Sequence, residues 1–157
     1  MTQTHAFTAN ISWQPLGQPF TYKEYSRQHL IRIAGKVDII ATSAPAFLGS
    51  EYHHNPEDLL VAAVASCHML TYLAVAASSK MTVLSYEDQA EGTLSNESGV
   101  FKFRDIVLKP KITFAPGTDT GKAEALHEKA HKNCFIASSV NFPVTVAGQI
   151  RVTPVIG

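Results

Sequence analysis

"NPEDLLVAAVASCHMLTYLAVAAS", Asn55 to Ser78, is the stretch whose reading decides the fold. It opens with every signal of a helix start. Asn55 is a good N-cap, Pro56 stands at the first helical position where its missing N–H costs nothing, and Glu57 and Asp58 face the positive end of the helix dipole. From Leu59 to Ala77 the stretch is nearly long enough to span a bilayer. Its composition argues against that: it is mostly alanine, holds Ser66, Cys67, His68, Thr71 and Tyr72, and lacks the Leu/Ile density and basic flanks of a spanning segment. A helix apolar on most sides is then expected at the centre of a fold, packed by protein all round. Cys67 shares its face with Leu60, Ala63, Val64, Leu70 and Thr71, so the thiol is expected to be buried.

Around this helix the chain reads as short strands. "HAFTANISW", "YSRQHLIRI" and "VDIIATS" precede it as a three-stranded meander, separated by "QPLGQP" and by Ala34-Gly35-Lys36. In the second of these, a period of two puts Tyr25, Arg27, His29, Ile31 and Ile33 on one face, and Gln28, Leu30 and Arg32 on the other. After the helix, "TVLSYEDQAEGTLS" and "VFKFRDIVLKPKITF" form a hairpin turning at "NESG", the second strand interrupted near Pro110. A second helix runs from about Asp119 to Asn133 with Ala123, Leu126, Ala130 and His127 on its buried stripe, and "FPVTVAGQIRVTPV" closes the chain as a strand. The order βββ-α-ββ-α-β is that of an α+β fold in one domain over residues 1–157.

Composition bounds the partners. Thirteen basic residues balance thirteen acidic ones without a cluster, so neither nucleic acid nor a membrane surface is an expected partner. The opening "MTQTHAFTAN" has no basic start or apolar core of a signal peptide, so a cytoplasmic location is expected, where two cysteines suggest redox or catalytic chemistry more than a structural disulfide.

Cys67 on the helix and Cys134 at the junction after the second helix make a pair of attacking and resolving thiols, the second exposed and mobile. The competing reading of Cys67 is a small core hydrophobe. An attacking thiol in an apolar site needs a cation to hold it as thiolate. Arg27 is the candidate, and Glu57 the carboxylate to orient it. Ten residues separate Glu57 from Cys67, roughly 15 Å along a helix, so their meeting requires two chains with this helix antiparallel, a homodimer. "HEKAHKNC" offers His127, His131 and Cys134 as metal ligands, a set without a fourth member and so weak. Phe47, Tyr52, Tyr72, Phe135 and Phe142 are candidates for an apolar pocket.

"NPEDLLVAAVASC" and "KAHKNC" resemble the two cysteine motifs of the OsmC/organic hydroperoxide resistance family, and the resemblance covers nearly the whole chain. It implies an intertwined α+β homodimer with two active sites at the interface, Cys67 as the peroxidatic thiol, Cys134 as the resolving thiol, and Glu57 orienting an arginine that maps to the strand before the helix, Arg27 or else Arg32. Two departures, His68 where phenylalanine is common and Phe135-Ile136 where a proline follows the second cysteine, point to an OsmC-like branch. The expected activity is reduction of organic hydroperoxides by a thiol peroxidase, with a dithiol or thioredoxin-like reductant and without metal or organic cofactor. The alternative is a non-catalytic stress protein that binds a small ligand.

Overall fold

The computed structural model describes residues 3–154. Its contacts gather into two compact units, Met1–Leu59 and Leu60–Gly157.

In the first unit β1 (Asn10–Ser12), β2 (His29–Arg32) and β3 (Ile39–Ala41) form the expected antiparallel meander, with Ile11 opposite Ile31 and Leu30 opposite Ile40. The strands are shorter than the alternation suggests. β2 begins at His29 because the residues before it fold into a turn, the amides of Glu24 and Tyr25 both bonding to Thr21 O. Arg27 therefore lies outside the strand, and its assignment to the isoleucine face does not hold. A single 3₁₀ turn, Pro45–Phe47, leads to Gly49, where a Cβ would sit 1.5 Å from the Ser43 carbonyl oxygen and only glycine fits.

α1 spans Pro56–Ser78 and starts as expected. Asn55 Oδ1 accepts from the Asp58 amide at 2.8 Å while Asn55 Nδ2 donates to the Asp58 carboxylate at 2.7 Å, a reciprocal capping arrangement. It ends in a Schellman motif: Lys80 takes φ 57, its amide bonds to Ala77 O, and that of Met81 to Ala76 O.

In the second unit the two long strands of the expected hairpin are each broken in two, giving β4 (Val83–Asp88), β5 (Glu91–Glu97), β6 (Val100–Leu108) and β7 (Pro110–Phe114). The tight turn at Ser98-Gly99 has both residues at positive φ, as a two-residue hairpin loop requires. After α2 (Thr120–Asn133), capped by the Asp119 side chain, the closing strand is also two strands, β8 (Val144–Val146) and β9 (Gln149–Val152), parallel to β6 and β7. The result is two three-stranded sheets, β4-β7-β9 and β5-β6-β8, joined end to end across breaks at 89–90, 109 and 147–148. The Asp88 carboxylate accepts from Lys109 N at 2.7 Å and Ala147 N donates to Leu108 O at 2.7 Å, so the bend leaves these backbone groups paired. The observed order is βββ-α-ββββ-α-ββ, an α+β fold.

α1 lies along this bent sheet and feeds two cores. Val64 packs with Ile106, Leu108 and Val144 over β6 and β8, while Tyr72 and Ala76 pack with Ile112, Phe114, Ala123, Leu126 and Ala130 between β7 and α2. The buried positions of α1 are Val64, His68, Tyr72 and Ala76 only. The expectation of a helix packed by protein all round is thus corrected, since the sheet and α2 cover a single stripe and Leu70 stands 61% exposed. By length and composition α1 is the one helix among the described residues that would suffice to cross a membrane.

Candidate active site

The second unit brings the two thiols together. Cys67, half-buried on α1, and Cys134, fully buried as the C-cap of α2, lie near enough for Cys67 to act on the Cys134 thiol. The expected exposures are reversed. Cys134 is not a mobile junction residue, because the chain folds straight into a 3₁₀ turn, Ala137–Ser139, that closes over it. The Ala137 amide points at Cys134 Sγ at 3.5 Å, the Ser138 amide bonds to Cys134 O at 3.0 Å, and the Cys134 amide bonds to His131 O at 3.3 Å. Burial, and then the nearby Cys67, push the Cys134 thiol up to about 11. At neutral pH Cys134 therefore keeps its proton.

Arg27 and Glu57 lie in the first unit. The Arg27 guanidinium donates to Tyr25 O at 2.6 Å and to Tyr22 O, and stacks 3.9 Å over the Tyr25 ring. Arg32 pairs with Asp38 at 3.1 Å on an exposed surface. Glu57 is half-buried, and its Oε2 is buried without a hydrogen-bond partner. A buried carboxylate oxygen left unpaired is costly, which marks Glu57 as an acceptor waiting for a donor.

Sequence reasoning missed one feature of the second unit. His68, fully buried, meets His127 of α2, Nε2 to Nδ1 at 3.2 Å, with the rings stacked at 12° and 5.5 Å apart. Burial first, and then His127 and His131, lower His68 to about 4, and burial lowers His127 as well, so the pair is uncharged at neutral pH. A faint signal existed: His68 falls at four-residue spacing with Val64, Tyr72 and Ala76. His127 is turned to His68, and among the described residues no three His, Cys, Asp or Glu side chains gather as metal ligands. Nor do the aromatics of the second unit line one pocket. Tyr72 is in the core, Phe142 packs on Phe103, and Phe135, 82% exposed, borders an open apolar groove with Leu70, Thr71, Ala74, Val75 and Lys129.

The family model for OsmC-like proteins matches residues 49–147, which include α1, α2, both thiols and the strands β4 to β8. The chain belongs to the OsmC-like family. Among solved structures, an OsmC-like protein of unknown function from Vibrio cholerae is 34% identical, with a TM-score of 0.86 over 92% of this chain and 99% of that one. Two organic hydroperoxide resistance proteins share the OsmC-like fold at lower identity. That of Legionella pneumophila is 21% identical with a TM-score of 0.71, over 96% of this chain and 99% of its own. That of Elizabethkingia anophelis is 20% identical with a TM-score of 0.72, over 98% and 100%. The uncharacterized protein YmaD of Bacillus subtilis is 27% identical over 89 residues, 55% of this chain and 59% of YmaD.

Proposed function

We propose that this OsmC-like protein is a thiol-dependent peroxidase that reduces organic hydroperoxides in the cytoplasm, as a homodimer. The observation that carries the reading is the proximity of Cys67 on α1 to Cys134 at the end of α2, the second thiol buried and held protonated near the first. It is supported by the organic hydroperoxide resistance proteins among the structural neighbours. The Cys67 thiolate attacks the distal peroxide oxygen, the O–O bond breaks, and the alcohol leaves with a proton while Cys67 becomes a sulfenic acid. Cys134 attacks that sulfur, water leaves, and a disulfide forms. A dithiol or thioredoxin-like donor then returns two electrons and two protons. The cycle draws on no metal or organic cofactor.

Arg27 is the cation proposed to favour the Cys67 thiolate, oriented by Glu57, whose orphaned oxygen supplies the acceptor. Because Glu57 and Cys67 stand roughly 15 Å apart along α1, these two residues act on the thiols of a second copy. The exposed apolar flank of α1, with Leu70 and the neighbouring Phe135, is the surface that the second copy covers.

A reductant-coupled assay with an organic hydroperoxide tests the reading. Wild type turns over, Cys67→Ser consumes no peroxide, and Arg27→Met is slowed at neutral pH with partial recovery at alkaline pH, as thiolate forms without the guanidinium. Wild type that consumes no hydroperoxide, even stoichiometrically, contradicts the peroxidase and leaves a small-ligand-binding protein.

A further inference from the structure

Two buried hydrogen bonds tie α1 to α2. Tyr72 Oη donates to Ala123 O at 2.9 Å, and one turn nearer to Cys67 on α1 and to Cys134 on α2, His68 bonds to His127. The rings fill the space between the helices, with Tyr72 tilted 4.5 Å from His127. On the far side a Cβ at Gly148 would come within 3.0 Å of His127 Nε2, so His127 is confined between Tyr72 and the end of β8. His131, one turn beyond His127 and one turn before Cys134, also bears on His68. The outer nitrogens, His68 Nδ1 and His127 Nε2, are buried without partners. The inner bond is thus the one polar contact these two rings make among the described residues; on α1 it adjoins Cys67, and on α2 it stands two turns before Cys134.

We propose that the His68–His127 pair is a positioning clasp for the disulfide, holding the Cys67 turn of α1 at the distance from the end of α2 at which Cys134 closes on it. A disulfide forms only within narrow limits of Cα and Cβ separation, so its equilibrium depends on how firmly the two helices are held at that spacing. The inference rests on the pairing of the thiols and not on peroxide as oxidant. It is therefore tested in glutathione buffers, where oxidised glutathione takes the two electrons and two protons of the thiols and leaves as two reduced molecules.

The full chain is equilibrated across such buffers and the Cys67–Cys134 disulfide is measured by alkylation and mass spectrometry. His127→Asn keeps a hydrogen-bonding atom near the Nδ1 position, whereas His127→Phe keeps the ring and loses the bond. The oxidation constant of His127→Phe is expected to fall about tenfold, about 30 mV for this two-electron couple, while His127→Asn stays near wild type. The rate at which iodoacetamide labels Cys67 is expected to be the same in all three. A folded His127→Phe with the wild-type constant overturns the clasp, and so does a fall in His127→Asn as large as that in His127→Phe. If His127→Phe does not fold, the wild type still decides: nitrogen-15 spectra with selectively labelled histidine are expected to show a coupling across the Nε2–Nδ1 bond and neutral rings at neutral pH, and two rings that titrate independently near their ordinary value overturn it. Wild type that forms no disulfide in any buffer overturns both the clasp and the resolving role of Cys134, whereas a disulfide formed without peroxidase activity leaves the clasp standing.

Discussion

At the residue scale, proton ownership is fixed at one of the two sulfurs. Burial of Cys134 beneath the turn that follows α2 pushes its thiol up to about 11, so it keeps its proton at neutral pH. The buried histidine pair has its own consequence. His68 titrates at about 4 in the fold and at 6.5 in the unfolded chain, so between these values the unfolded state binds more protons and stability falls as pH falls. The groups that act on the pair are His131, Glu124 and the Tyr72 ring, with Tyr86 and Asp88 beyond Tyr72. Asp88, raised by burial, acts in the opposite sense, losing its contribution as pH rises through its folded value. The His68 effect is worth at most about 3 kcal/mol, and urea midpoints should drop from pH 6.5 towards 4 in wild type and drop less in His68→Phe. Equal slopes in the two would contradict a neutral buried His68. Cys67 and Cys134 were legible because thiols are rare and their spacing distinctive. The histidine pair was not, because α1 is apolar nearly all round and the four-residue stripe of Val64, His68, Tyr72 and Ala76 is one of several apolar faces its sequence offers.

Elements were read well at their starts and poorly at their bends. The cap at Asn55, the turn at Ser98-Gly99 and the cap at Asp119 are side-chain chemistry and stood where the residues put them. The breaks at Gln89-Ala90 and Ala147-Gly148 carry no proline and come from bending a long sheet beneath one helix, a demand of packing between distant segments. Only the break beside Pro110 was legible. The shortened β2 has a local cause, the turn held by the Glu24 and Tyr25 amides on Thr21 O, which the alternation of the following residues does not announce. Where α1 crosses β5, Gly92 lets the strand approach: a Cβ there would lie 2.6 Å from Val61 Cγ2 and 2.7 Å from Phe103 Cε1. Gly92→Val is therefore expected to cost about 1–3 kcal/mol by overpacking, read as a lowered urea midpoint. An unchanged midpoint would mean that α1 does not press on β5 at this level.

At the scale of the molecule, family membership and the α+β fold were legible from two cysteine motifs and the order of elements. Assembly is a matter of surface. In the second unit Leu70 and Phe135 are exposed apolar side chains that border one open groove. Sedimentation is expected to give a dimer at micromolar concentration, and a well-folded monomer there would remove the case for Arg27 and Glu57 acting on a second copy's thiols. The central claim is that Cys67 attacks and Cys134 resolves. It is tested most directly by treating the reduced chain with one equivalent of an organic hydroperoxide, adding dimedone, and mapping the products by mass spectrometry. The predicted result is a Cys67–Cys134 disulfide in wild type, a dimedone adduct on Cys67 in Cys134→Ser, and no oxidation in Cys67→Ser. Oxidation of Cys134 in Cys67→Ser at the wild-type rate, or wild type left reduced, would contradict it.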